Sequence, residues 1–187
     1  MTEPLYGWVT SGMIASYGEP VPAGSLIHPR AEPEIGFLLG RDLSGPTTVT
    51  SVLAATEAVF VAVDILDSRY LDFRLTLADV IADNASAGRV VLGPQVRPPG
   101  ELADLRLIGC VLRKGGEVVA TAAGAAAAGH PAAAVAWLAN CLAGQGKSLR
   151  AGQLVLSGGL TAPVLLDEGA AVTAEFDGLG SVEVDCR

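Results

Sequence analysis

A chain of 187 residues, half of them hydrophobic and with a formal charge of -8, is long enough to bury a real core and is read as one domain over 1–187. No Lys/Arg cluster offers the basic patch that nucleic-acid phosphates require, and no apolar run reaches the ~18 residues of a membrane span. Met1-Thr2-Glu3-Pro4-Leu5 has no basic segment followed by an apolar one, and Cys110, Cys141 and Cys186 are widely spaced without C-x-x-C, so free thiols in the cytoplasm are expected.

Residues 1–31 read as an extended Gly/Pro-rich lead-in, with short pieces such as 5–9 and no helix. A strand is expected over 35–39, then a helix over 52–58 capped by Thr47 or Thr48, then a buried strand over 59–66 that carries Asp64. Thr76 and Asp79 have capping-box spacing for a short helix ending at Ile81 or Ala82, followed by a loop over 83–88. Strands over 105–112 and 118–122 flank the turn Lys114-Gly115-Gly116 as a hairpin. Pro131 opens a helix over 132–143, with Val135, Leu138 and Leu142 on one side and Gly144 as its stop. Short strands follow at 154–156, 164–166, 171–176 and 181–184. The order is α+β without a repeating βαβ rhythm, which argues against a Rossmann or barrel enzyme.

Glu32 and Glu34 are the first candidates for chemistry, because residues two apart in a strand share a face. Asp64 stands alone in an apolar run, where an unpaired carboxylate is costly to bury. Three hard oxygen ligands without His or Cys favour Mg²⁺, Mn²⁺ or Ca²⁺ over Zn²⁺. The alternative is ordinary pairing: the glutamates with Arg30 on a solvated edge, and Asp64 with Arg69 or Arg74.

Several blocks in order make the chain resemble the fumarylacetoacetate hydrolase superfamily, and within it the 2-keto-4-pentenoate hydratases and 2-oxo-3-hexenedioate decarboxylases. They are Pro29 to Ile35, Asp42-Leu43-Ser44-Gly45-Pro46, Ile65-Leu66-Asp67-Ser68-Arg69, Ala82 to Gly88, Gly129-His130-Pro131 with the helix to Asn140, and Gly152 to Leu160. The resemblance implies a mixed β-roll with a few short helices, and Mg²⁺ or Mn²⁺ held by Glu32, Glu34 and Asp64. It also implies a 2-oxo enoic or enedioic acid as the partner of a lyase, a hydratase or decarboxylase working through a metal-stabilised enolate. That branch has Glu where this chain has Asp64, and a leading segment whose lysine faces the substrate; the chain begins after that segment, and Lys114 and Lys147 sit in apparent turns. A repurposed isomerase, cyclase or C–C hydrolase stays open beside the lyase, as does a nonenzymatic subunit with a paralogous partner chain.

Beside this resemblance, Asp83 is the candidate proton donor and Arg69 the candidate partner of a substrate carboxylate, or a clamp on Asp64 or Asp67. Asn84 or Ser86 can orient water, or bond local backbone. Gly158, Gly159, Leu160 and Thr161 form a loop whose backbone amides and Thr161 hydroxyl can hold a carboxylate, or a simple tight turn. His130 reads as structural before its helix, and Trp137 as core or interface packing. The high apolar fraction and the Ala-rich helix point to a homodimer or larger homo-oligomer.

Overall fold

The computed structural model describes residues 4–187. In chain order its strands are β1 (Ile14–Ala15), β2 (Arg30–Leu39), β3 (Thr56–Leu66), β4 (Ala87–Arg97), β5 (Gly109–Lys114), β6 (Glu117–Ala123), β7 (Leu154–Leu156), β8 (Val164–Leu165), β9 (Ala171–Phe176) and β10 (Gly180–Asp185), with helices α1 (Val49–Ala55), α2 (Leu77–Ala82) and α3 (Pro131–Ala143). One sheet runs β1-β4-β3-β2-β7, with β8 also paired to β2, and a second runs β10-β9-β5-β6. All pairings are antiparallel except β1 with β4. This is the mixed-sheet α+β architecture expected, with few helices.

Strand alternation decides what each face of the first sheet carries. Ala31, Ile35, Phe37 and Leu39 of β2, with Val59, Val61, Val63 and Ile65 of β3, turn to one side and are fully buried. They share a core with Leu112, Val172, Ala174, Val182 and Val184 of the second sheet and Val135 and Ala139 of α3. Each such aliphatic side chain contributes ~1.5–3 kcal/mol by leaving water. The other face carries Glu32, Glu34 and Asp64 beside a small apolar cluster of Phe60, Ala62 and Val90. Because both faces are covered, β3 reads as an unbroken apolar run rather than an alternating one.

Capping sets the helices. Thr48, not Thr47, accepts from the Ser51 amide at 3.2 Å and opens α1. The helix occupies Val49–Ala55 rather than 52–58, because Thr56 and Ala58 already pair with β2, Glu57 lying in the bulge between them. In α2 both arms of the capping box are made, Asp79 accepting from the Thr76 amide at 2.9 Å. His130 caps α3, its Nδ1 accepting from the Ala132 amide at 3.0 Å, which bears out its structural reading. Trp137 meets Tyr6 edge-on at 6.2 Å.

Four expectations are corrected. Residues 5–9 form no strand, and the lead-in instead contributes β1 and two short 3-10 turns. The acid-bearing strand starts at Arg30 rather than at Ile35, so Glu32 and Glu34 sit inside it. The hairpin strand begins at Gly109, residues 105–107 being a 3-10 turn. The whole of β4 goes unforeseen, because Gly88, Gly93 and Pro94 look like breakers. The glycines serve close approach instead: a Cβ on Gly88 would lie 2.7 Å from the Ile65 carbonyl oxygen, and one on Gly93 would lie 2.4 Å from Val61 Cγ2.

Candidate metal centre

β2 and β3 bring Glu32 and Asp64 directly opposite one another, with Glu34 two residues along on the same face. Glu34 is buried, while Glu32 and Asp64 are partly covered. The loop after β7 closes over them: the Gly158 amide donates to Glu34 Oε2 at 2.9 Å. Gly159 lies so close that a Cβ there would stand 2.4 Å from Glu32 Oε2. A side chain at this position would push the Glu32 carboxylate aside.

The electrostatics of the three acids are unfavourable as they stand. Burial, then the charge of Asp64, pushes Glu32 up to about 7. Burial likewise pushes Asp64 up to about 7 against the lowering effect of the Ile65 amide. Glu34 is raised well above the ordinary carboxylate range by burial and by both neighbours. Asp64 Oδ1 is buried and has no hydrogen-bond partner. Neither expected ion pair forms: Arg69 pairs with Asp83 and Arg74 with Asp72, while Arg30 lies over the Phe73 ring, its Cζ 4.3 Å from the centroid. Oxygen donors alone, raised pKa values and an orphaned buried carboxylate oxygen suit a hard divalent cation. Among the described residues, no three His, Cys, Asp or Glu side chains close around one ion-sized point; the acids are neighbours rather than a finished cage.

Asp83 and Arg69 come together in a second cluster. Asp83 is buried, and its Oδ2 accepts from Ser68 Oγ at 2.9 Å and Ser86 Oγ at 2.8 Å. Arg69 Nε stands 2.6 Å from its Oδ1. Burial alone would raise this carboxyl, but the bonds from Ser86, Ser68 and the Arg69 amide, with the guanidinium charge, hold it below the usual range. The remaining Arg69 donors go to the carbonyls of Asp67, Ala87 and Asp83. Asp83 is thus an ionised, saturated acceptor and Arg69 its clamp, so the roles of proton donor and substrate-carboxylate partner do not match what these groups are doing.

The other expected contacts divide. Asn84 bonds the backbone of Trp8 at both ends, at 2.7 and 2.8 Å. Ser86 is spent on Asp83, and Thr161 Oγ1 donates to the Ala162 carbonyl at 3.0 Å. Leu160 is buried, its amide bonded to the Pro33 carbonyl at 2.9 Å. Of the expected loop, only Gly158 and Gly159 lie against an acid. Lys114 pairs with Asp167 at 2.6 Å and Lys147 meets Gln145. The Gly158 amide, expected to help hold a substrate carboxylate, instead holds the protein's own Glu34.

A mixed-sheet fold with same-face acids under a glycine loop defines a class, and sequence comparison names it. The chain belongs to the fumarylacetoacetate (FAA) hydrolase C-terminal family, whose match covers residues 3–187. It is 43% identical over 180 residues to a 4-oxalocrotonate decarboxylase of Pseudomonas sp. (strain CF600), covering 96% of this chain and 68% of the relative. It is 42% identical over 184 residues to a 2-keto-4-pentenoate hydratase of Paraburkholderia xenovorans (strain LB400), covering 98% of this chain and 68% of the relative. Its fold superposes on the 4-oxalocrotonate decarboxylase from Pseudomonas putida G7, complexed with magnesium and adipate, with a TM-score of 0.95 and 39% identity. That match covers 100% of this chain and 71% of the other.

Proposed function

We propose that the chain is a divalent-metal-dependent lyase, a hydratase or decarboxylase, acting on a 2-oxo enoic or enedioic acid, with Glu32, Glu34 and Asp64 holding Mg²⁺ or Mn²⁺. The observation that carries this reading is the buried, unpartnered Asp64 Oδ1 opposite Glu32, in a chain 43% identical to a decarboxylase and 42% identical to a hydratase. When bound, such a cation supplies a Lewis acid that polarises a 2-oxo group and offsets negative charge developing there. The chain's own residues prepare the place. Gly158 fixes one Glu34 oxygen, Gly159 leaves room for Glu32, and Phe60, Ala62 and Val90 are buried apolar neighbours on the same sheet face. Asp83 stays ionised and holds Arg69; the proton that completes the reaction comes from another group.

Calorimetric titration with Mg²⁺ or Mn²⁺ tests the reading, with about one site per chain expected from a single acid cluster. A steady-state assay on 2-hydroxypentadienoate and 2-oxo-3-hexenedioate follows, with kcat in the ordinary range of ~1 to 10³ s⁻¹. Failure to bind either metal overturns it. We read the protein also as a cytoplasmic homo-oligomer. Its three cysteines are free, and the lead-in presents Trp8, Tyr17 and Ile27 with more than half their surface exposed, large side chains that a second copy would cover. No helix among the described residues is long and apolar enough to cross a membrane. A monomeric mass by light scattering would remove the oligomer.

A further inference from the structure

Among the described residues, two nitrogen-bearing side chains at the start of β2 share the Phe73 ring and have no carboxylate partner. Arg30 precedes Glu32 by two residues in β2, so strand alternation puts it on the acid face. Three carboxylates stand near, yet among the described residues Arg30 makes no ion pair. Its guanidinium lies on the Phe73 ring, 4.3 Å from the centroid. The same ring holds His28, with centroids 4.7 Å apart, and His28 Nε2 is buried without a hydrogen-bond partner.

This arrangement is held in place. Asp67 Oδ1 accepts from the amides of Ile27 and His28, both at 2.9 Å, fixing the approach to β2. Phe73 takes a left-handed backbone with φ 54°, after Asp72 with φ 53°, a conformation that side-chain-bearing residues rarely adopt. An arginine lying on an aromatic face keeps its N–H groups directed outward in the guanidinium plane, available to a carboxylate fork. The step from Glu32 to Arg30 along the strand is ~6.6 Å, comparable with the length of a short dicarboxylic acid.

We propose that Arg30, positioned by Phe73 and assisted by His28, takes the distal carboxylate of the substrate, so that the chain selects 2-oxo dicarboxylic acids over 2-oxo monocarboxylic acids. This inference rests on the 2-oxo acid reading and specifies its substrate class. The acid face receives the 2-oxo acid end, and the opposite end of the substrate reaches along β2 to the guanidinium.

Calorimetry in saturating Mg²⁺ with 2-oxoadipate and 2-oxohexanoate, which differ in the distal carboxylate, tests it. The wild-type chain is expected to bind the diacid ~10- to 100-fold more tightly, the range of a charge-assisted hydrogen bond. Arg30→Met should remove most of that preference with Mg²⁺ binding retained, and Arg30→Lys should keep part of it. Should Arg30→Met fail to fold, the loss is read from Arg30→Lys and from His28→Gln, which is expected to be the milder. Equal affinities in the wild type, or a full preference surviving in the Arg30 variants, overturn the inference and leave the 2-oxo acid reading standing. Binding of neither acid removes both.

Discussion

Two groups of acids near the end of β3 are treated in opposite ways. Glu32, Glu34 and Asp64 lie on one sheet face with only the Gly158 amide on Glu34, the Ile65 amide on Asp64 and no ion pair among the described residues, and Glu32 and Asp64 are pushed up to about 7. Asp83, buried as deeply as Glu34, receives two hydroxyls, an amide and a guanidinium and is held low. Burial is common to both. The number of donors separates them, and the carboxylates left short of donors are those we propose a cation completes.

The largest effect expected from this contrast is in metal binding. Glu34→Ala removes the deepest of the three oxygen donors and should weaken Mg²⁺ affinity by ~100-fold or more, at or beyond the upper end seen when even outer-shell partners are lost. Turnover should fall with it. Unchanged calorimetric titration in Glu34→Ala would erase the distinction between the two groups. Asp83→Asn should do the reverse: it breaks a buried pair and leaves Arg69 uncompensated. A full loss of such a pair costs about 3–5 kcal/mol, but the Arg69 side chain is 43% exposed, so water recovers part and ~2–3 kcal/mol is expected by urea unfolding. Mg²⁺ affinity should be retained. A variant of normal stability and lost metal binding would place Asp83 with the first group.

Titration gives a third, smaller separation. The folded chain holds protons on Glu32 and Asp64 up to about 7, against ordinary values of 4.5 and 3.8. Folded-state proton affinity above the unfolded value gives stability that is complete below about pH 4 and is lost as pH rises through about 7. Asp83 is lowered, so its contribution is present above its ordinary value of 3.8 and is lost as pH falls. Metal-free protein should therefore melt several degrees higher near pH 5 than at pH 8, and Mg²⁺ should close most of that gap by taking the place of the protons. A melting temperature that rises between pH 5 and pH 8 without metal would contradict the unpaired state of the acids.

How far all this is legible from sequence depends on the reach of each interaction. Glu32 and Glu34 sharing a face follows from period-2 geometry, and the isolation of Asp64 follows from its apolar neighbours; both are local. That Asp64 stands opposite Glu32 depends on where α1 ends and β3 begins, a boundary displaced by three residues from the expected helix end. The Asp83–Arg69 pair and the Gly158 contact join elements 14 and 124 residues apart in the chain, and no periodicity encodes them. Arg30 shows the limit most plainly: proximity in sequence suggests Glu32 as partner, and Phe73 on a distant turn takes it instead. β4 is hidden for a related reason, since Gly88 and Gly93 read as breakers until the strands they approach are known.

The smallest expected effect concerns Asn84, a neighbour of Asp83 whose side chain points to neither group of acids. It has φ 53°, a left-handed value that Asn tolerates better than most residues. Its amide and carbonyl bond the Trp8 backbone at 2.8 and 2.7 Å, and a Cβ on Gly7 would come within 2.6 Å of the Asn84 carbonyl oxygen. The lead-in is thus tethered closely at this point. Asn84→Ala loses two solvent-exposed bonds and some left-handed preference, together about 1 kcal/mol, or ~2–4 °C in a chain of this size. Proteolysis should then cut more readily near Trp8, while Mg²⁺ affinity and the Asp83 unfolding increment stay unchanged. A drop in Mg²⁺ affinity approaching that of Glu34→Ala, with the lead-in still protected, would instead return Asn84 to the substrate side of the acid face and show that the Trp8 tether is not its main task.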